Sequence, residues 1–281
     1  MRIKIVVSLV AGLILAASGP ALATAVFVGD DMGWIDEVHR SAMAVFEQTA
    51  TGMTVTLTNL STLPNVGDAS LGGTAVLTGV FFNIAGSSPS LTANYALAAP
   101  GSIVNPQNSS EWDKAGVQAQ IAAGNVTGEW AYGGDVNHKF SQPVLNEGPV
   151  IVKYGISSAG LNEFGPKDLF IGNAQHPSVN LDTPLSPDGA NYGIVSTDVV
   201  LNPGIGVLPL IQDSVTFTLT GFNDVSMIQD VWFQYGTGWN EPDFTVYVGG
   251  QGPENPIPEP VTMAGVFLGL CGLAGYVRKR R

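Results

Sequence analysis

The chain has 281 residues, a formal net charge of −12 and one cysteine. Such acidity argues against a nucleic-acid partner, because phosphate binding needs a basic surface. A lone cysteine cannot build a disulfide framework, so stability has to come from a packed core.

The charge is unevenly placed. All 23 acidic residues lie between Asp30 and Glu259, where only Arg40, Lys114, Lys139, Lys153 and Lys167 are basic. Five cations against 23 anions give this stretch −18. The acids are scattered and not in runs, as expected of a solvated face that keeps an exported protein soluble.

The N-terminus reads as an export signal. Arg2 and Lys4 precede an apolar run from Ile5 to Ala17, and Ala21-Leu22-Ala23 offers small residues at both cleavage positions. The pattern predicts a signal peptide over residues 1–23, cut before Thr24. Gly19-Pro20 ends the run early, which argues against a permanent anchor there.

Residues 24–248 then form one β-rich ectodomain. Met53-Thr54-Val55-Thr56-Leu57-Thr58 and Val215-Thr216-Phe217-Thr218-Leu219-Thr220 alternate apolar residues with threonine. Period two with β-branched residues predicts strands with one buried face. Residues 76–84 are apolar on both faces, which suits a central strand. Further strands are predicted at 43–48, 93–97, 128–132, 150–157, 192–196, 231–235 and 244–248. Turn clusters such as Asn65-Val66-Gly67-Asp68 and Ser186-Pro187-Asp188-Gly189 separate them. Only residues 36–46 and 114–123 offer weak helical patterns. The fold class expected is all-β, an antiparallel β-sandwich or jelly-roll-like ectodomain. Residues 249–257 form a Gly/Pro linker.

Candidate chemistry within this domain is sparse. Gly155-Ile156-Ser157-Ser158-Ala159 nearly matches a nucleophile elbow but lacks its last glycine and a following helix. His39, His138 and His176 have no metal spacing. Asp135-Val136-Asn137 begins like a calcium loop, yet Phe140 stands where the sharp turn needs glycine. Asp30-Asp31 and Asp36-Glu37 could bind calcium in an irregular loop; otherwise no cofactor or metal is expected. No carboxylate pair stands out for glycoside hydrolysis. Trp130 and Tyr132 share one face of a predicted strand. Exposed, they would stack sugar rings; buried, they would be core, since large aromatics dominate buried area.

The last stretch, 258–281, has three parts. Pro258-Glu259-Pro260 is rigid and extended, because each proline fixes φ and removes an N–H. Val261 to Val277 is a run without a charge. As a helix it would span roughly 26 Å, a little short of a ~30 Å hydrocarbon core. Arg278, Lys279, Arg280 and Arg281 follow, and their long side chains can reach back to the headgroups. Positive charge stays cytoplasmic, so the domain before the span lies outside the inner membrane.

This order of box, glycine-rich span and basic end resembles the PEP-CTERM sorting signal, which is read by exosortase, a membrane-embedded cysteine transpeptidase-like enzyme of Gram-negative bacteria. The resemblance implies that Pro258, Glu259 and Pro260 are the recognition box. Leu77-Thr78-Gly79-Val80-Phe81-Phe82, Tyr154-Gly155-Ile156-Ser157-Ser158-Ala159-Gly160-Leu161, Tyr192-Gly193-Ile194-Val195-Ser196 and Val231-Trp232-Phe233-Gln234-Tyr235-Gly236-Thr237 are similar to segments of exosortase-dependent surface proteins. What this implies is a non-enzymatic surface or matrix protein tied to exopolysaccharide and biofilm. Its partners would be signal peptidase, the export machinery and exosortase. It would be anchored transiently in the inner membrane and end at the cell surface or outside. A carbohydrate-binding module and, further off, a hydrolase are the alternatives. Within the span, Gly265, Gly269 and Gly272 fall on one helical face, where small residues let another membrane helix approach closely.

Overall fold

Period-two alternation builds the first sheet; four of its five strands are predicted from the sequence, and β1 is not among them. Five strands, β1 (Thr24–Asp30), β2 (Ser41–Gln48), β3 (Gly52–Asn59), β5 (Thr92–Ala98) and β13 (Ser214–Thr220), pair antiparallel in the order β1-β2-β3-β13-β5. The apolar set of each strand, Phe27, Phe46, Val55, Leu57, Phe217 and Leu219 among them, is buried on one face. Threonines take the other face, where the hydroxyls of Thr56 and Thr216 meet at 3.0 Å. The structure is a computed structural model that describes residues 22–30, 39–62, 75–86, 88–105, 116–140, 150–182, 184–187, 189–198, 209–241 and 243–245.

The second sheet is organised around β4 (Leu77–Ile84). It runs β15 (Asp243–Thr245), β14 (Ile228–Tyr235), β4, β11 (Ile194–Val195), β12 (Leu210–Gln212) and β6 (Ile103–Asn105). Off this path, β10 (Tyr154–Ser157) pairs with β4 and with β7 (Ala131–Gly133). Strands β8 (His138–Phe140) and β9 (Val150–Val152) form a separate antiparallel pair. All pairings are antiparallel except β11 with β12. The protein is therefore all-β, built of mainly antiparallel sheets. A six-residue helix, α1 (Val117–Ala122), lies inside the predicted 114–123 segment.

Both faces of β4 are covered, which is why its sequence is apolar on both. Val80, Phe82 and Ile84 join the core between the sheets, where Phe82 meets Phe46 at 5.2 Å and stacks on Tyr154 at 5.4 Å. Phe81 turns to the opposite side, into a second cluster with Phe140 and Trp232. Leu77 has the odd-number parity of Phe81 yet belongs to the main core. An irregularity explains this. Leu77 pairs with Tyr235 and Gly79 with Gln234, so Thr78 is an extra residue, and a bulge rotates the side chains beyond it.

Some predicted elements differ from what forms. The stretch 150–157 is not one strand. Asn83 splits it: its amide donates to the Ile151 carbonyl at 2.8 Å, and its Oδ1 accepts the Lys153 N–H at 3.0 Å. The first half then pairs with β8 and the second with β4. At 128–132 the chain first makes a short 3-10 turn, Thr127–Glu129. The Asn125 side chain accepts the Thr127 N–H, and Gly128 lies where an added Cβ would meet the Val179 carbonyl oxygen at 2.1 Å. The weak helical pattern at 36–46 is overturned over 41–46, which is strand β2 with Ala42, Ala44 and Phe46 buried in period two. Residues 31–38 lie outside the described set. Among the described residues no helix is long and apolar enough to cross a membrane, and the 261–277 run lies outside them.

Phe217 is fully buried between Trp130, at 4.9 Å, and Phe170, at 5.6 Å. Phe217→Ala is expected to cost about 3–5 kcal/mol in denaturant unfolding. Thr218→Ala, one residue away on the outer face, should change stability by less than about 0.5 kcal/mol.

Candidate functional site

The side of β4 and β14 that faces away from the main core carries Phe81 and Trp232, both fully buried. Three segments cover them. The β8–β9 pair contributes Phe140 and Val152, the stretch after β10 contributes Ala159, Leu161 and Phe164, and the turn after β14 contributes Trp239. Phe140 stacks on Trp232 at 4.5 Å with 12° between planes. Trp239 lies 5.1 Å from Phe81 and 5.6 Å from Phe140. His138 then lies flat on Trp239, at 3.6 Å and 6°.

The turn that holds Trp239 is set by its own polar groups. The Glu241 carboxylate accepts the N–H groups of Thr237 and, at 3.0 Å, Gly238. The buried Gln234 side chain donates to the Gly238 carbonyl at 3.1 Å. The result is a buried aromatic floor with a half-buried lip of His138 and Trp239. Burial pushes the His138 pKa below its ordinary value of 6.5, so the imidazole is neutral at physiological pH. This lip offers a flat, uncharged π surface. Stacking of a planar or sugar ring suits it.

Of the two alternatives for Trp130 and Tyr132, stacking platform or core, the structure gives the core. The two do share a face, but that face is the inner one. Trp130 is fully buried against Phe217. Tyr132 is half-buried and packs against the same core, with its hydroxyl enclosed and without a hydrogen-bond partner. Desolvation by burial, and then the neighbouring Tyr154, raise its pKa. Sequence reasoning passed over His138 and Trp239. Trp239 had a signal: it stands in Gly236-Thr237-Gly238-Trp239-Asn240, a turn composition that provides no strand face to bury an indole.

The other candidates have structural roles. The Ser157 hydroxyl is buried, donates to the carbonyls of Thr78 and Ala159 and accepts the Ala159 N–H at 3.0 Å. No helix follows it, so the elbow geometry is absent. The histidines are apart: His39 bridges to Thr62, and His176 sits 4.8 Å from the Tyr95 ring. Asn137 donates to the Asp135 carboxylate at 2.5 Å. Glu129, a buried acid, accepts the Leu181 N–H at 2.6 Å, and Asp182, another, accepts from Asn191. Among the described residues no group of three His, Cys, Asp or Glu could hold a metal ion.

Ala23 is exposed at the head of β1, where its carbonyl accepts the Gln48 N–H at 2.8 Å. Ala21, Asp31, Asp36, Glu37, Pro258, Glu259, Pro260, Gly265, Gly269, Gly272, Arg278, Lys279, Arg280 and Arg281 lie outside the described residues. Comparison with family models, curated proteins and solved structures returns no match for this chain.

Asp243, paired opposite Gln234, borders this site, and burial pushes its carboxyl from 3.8 up to about 6. The fold therefore holds the proton more tightly than the unfolded chain does, and stability falls as pH rises between those values. Asp243→Asn should raise the melting temperature near pH 7.5, with the gain fading below pH 6 and gone near pH 4. Thermal melts across that range check the sign.

Proposed function

We propose that this chain is an exported, exosortase-processed, non-enzymatic surface or matrix protein. The observation that carries the reading is the order Pro258-Glu259-Pro260, uncharged run 261–277, and Arg278 to Arg281, behind an N-terminal export signal. The physical chemistry agrees. Pro258 and Glu259 are held extended, each being fixed or followed by a proline, so a transpeptidase would meet an open substrate ahead of the helix. Pro260 suits the first turn of that helix, and Glu259 favours its positive end. Signal peptidase would cut after Ala23, the anchor would hold the chain in the inner membrane, and exosortase would release it to the surface. We read the two sheets around one core as a β-sandwich ectodomain. It forms with one cysteine in the whole chain, as an exported domain stabilised by packing would. Exopolysaccharide is the partner class this route suggests.

A second reading, carbohydrate binding, is favoured by one observation, the half-buried His138–Trp239 stack. Sugar C–H faces pack on such rings. Titration with matrix polysaccharide should then change tryptophan fluorescence, and Trp239→Ala should abolish that change without altering the circular dichroism.

Processing is tested by mass spectrometry of the exported protein from an exosortase-bearing host. The expected product has lost the span and ends near Pro258–Pro260. Surface protein that still carries Arg281 overturns the reading.

A further inference from the structure

The turn that carries Trp239 hangs on one buried amide. Gln234 is fully buried on β14, and its Nε2 donates to the carbonyls of Tyr235, at 2.7 Å, and Gly238, at 3.1 Å. Both donor positions of that nitrogen are thus used on the turn. The amide oxygen, Oε1, is enclosed and has no hydrogen-bond partner. A buried acceptor left in that state is costly, so any proton offered to it would be taken.

Asp243 stands where such a proton can come from. It lies directly opposite Gln234 in the β14–β15 ladder. Directly opposed residues of an antiparallel pair share a face, with Cβ atoms about 4.5–5.5 Å apart. Gln234 has the parity of Trp232, so this is the face that the aromatic lid covers. No hydrogen bond or opposite charge holds the Asp243 carboxyl; burial alone pushes it from 3.8 up to about 6. The charged residues of the two strands packed against β15 are Asp30 of β1 and Asp230 of β14, and the lip adds Glu241 and His138. None of them is a cause of that rise. Ionised, Asp243 sets a second acceptor against Oε1. Protonated, it offers the donor that Oε1 lacks.

We propose that Asp243 and Gln234 form an acid-dependent latch on the Trp239 turn. A protonated Asp243 carboxyl donates to Gln234 Oε1 and fixes the amide with Nε2 on the Gly238 carbonyl. When the proton leaves to solvent, the carboxylate calls for a donor, and the amide can supply one only by turning over. Oε1 then lies against the carbonyls of Tyr235 and Gly238, which repel it. The turn keeps its second hold, the Glu241 carboxylate on the N–H groups of Thr237 and Gly238, so it loosens without unfolding. What moves is Trp239, and with it the flat stack on His138. The latch rests on the geometry of the turn and not on the carbohydrate reading; where the lip takes a sugar, it would do so best in acid. The lip is therefore closed below about pH 6 and loosened above it.

The test is fluorine NMR of the full chain in detergent, labelled with 5-fluorotryptophan and titrated from about pH 4.5 to about pH 8. The chain has five tryptophans, and the Trp239 line is the one lost in Trp239→Phe. In the wild type that line is expected to move between two positions with a midpoint near pH 6, while circular dichroism stays constant. Asp243→Asn keeps a donor opposite Oε1 at every pH, so its Trp239 line should stay at the acid position throughout. Gln234→Met removes the amide, so its line should stay at the alkaline position. A wild-type line that does not move overturns the proposal. An Asp243→Asn line that still moves overturns it too, because the titration then belongs to another group such as His138. So does an Asp243→Asn line fixed at the alkaline position, which would make the ionised carboxyl the one that holds the turn.

Discussion

The constraint on which the rest of the structure depends is that β4 must be dry on both sides. A strand that reads Leu-Thr-Gly-Val-Phe-Phe-Asn-Ile cannot face water on either side without exposing large aromatic area. One side is met by the five-stranded sheet, whose Phe46 meets Phe82, while Tyr154 of the neighbouring β10 stacks on the same ring. The other side needs a cover that the small β8–β9 sheet alone does not complete. The chain builds one from pieces: the β8–β9 pair, the 159–164 turns and the Trp239 turn. The aromatic layer is thus first a lid over Phe81 and Trp232. Its half-buried rim, His138 and Trp239, is the part of the lid that stays in reach of solvent.

Much of the fold was legible because its strands obey period two or have two apolar faces. Met53 to Thr58 and Val215 to Thr220 alternate strictly, and both form strands with the predicted faces. β4 was legible as central for the opposite reason, its lack of alternation. The opposed faces of Trp232 and its neighbours Val231, Phe233 and Tyr235 also follow from local pattern. What could not be read depends on contacts distant in sequence. The break at Lys153 is made by Asn83, seventy positions away. The burial of Trp130 depends on Phe217. Short strands such as β6, β8 and β12 owe their conformation to the partner they pair with, and three residues carry too little period to announce it. The site was missed for the same reason: alternation places Trp130 and Tyr132 on a common face but does not say which side of the sheet is wet.

The polar economy of the interior fits a domain stabilised by packing. Buried acids and hydroxyls mostly serve the backbone. Glu129 holds Leu181, Ser157 holds the turn at Ala159, and Asn59 donates to the carbonyls of Ala75 and Ile194 at 2.7 Å each. Such bonds fix loops between the two sheets and satisfy buried polar groups. The indole N–H groups of Trp130 and Trp232 are enclosed without acceptors, which ranks packing of these rings above satisfaction of their polar edges.

The position of Ala23 has an effect on charge. In the uncut chain its carbonyl and amide both engage Gln48, so it forms an added rung of the β1–β2 ladder. The proposed cleavage before Thr24 would remove that rung and leave an ammonium group in its place. Thr24 stands opposite Glu47 in the register of β1 with β2. Maturation along the proposed route would then place a cation at the head of the strand opposite an anion, a charge that the precursor lacks.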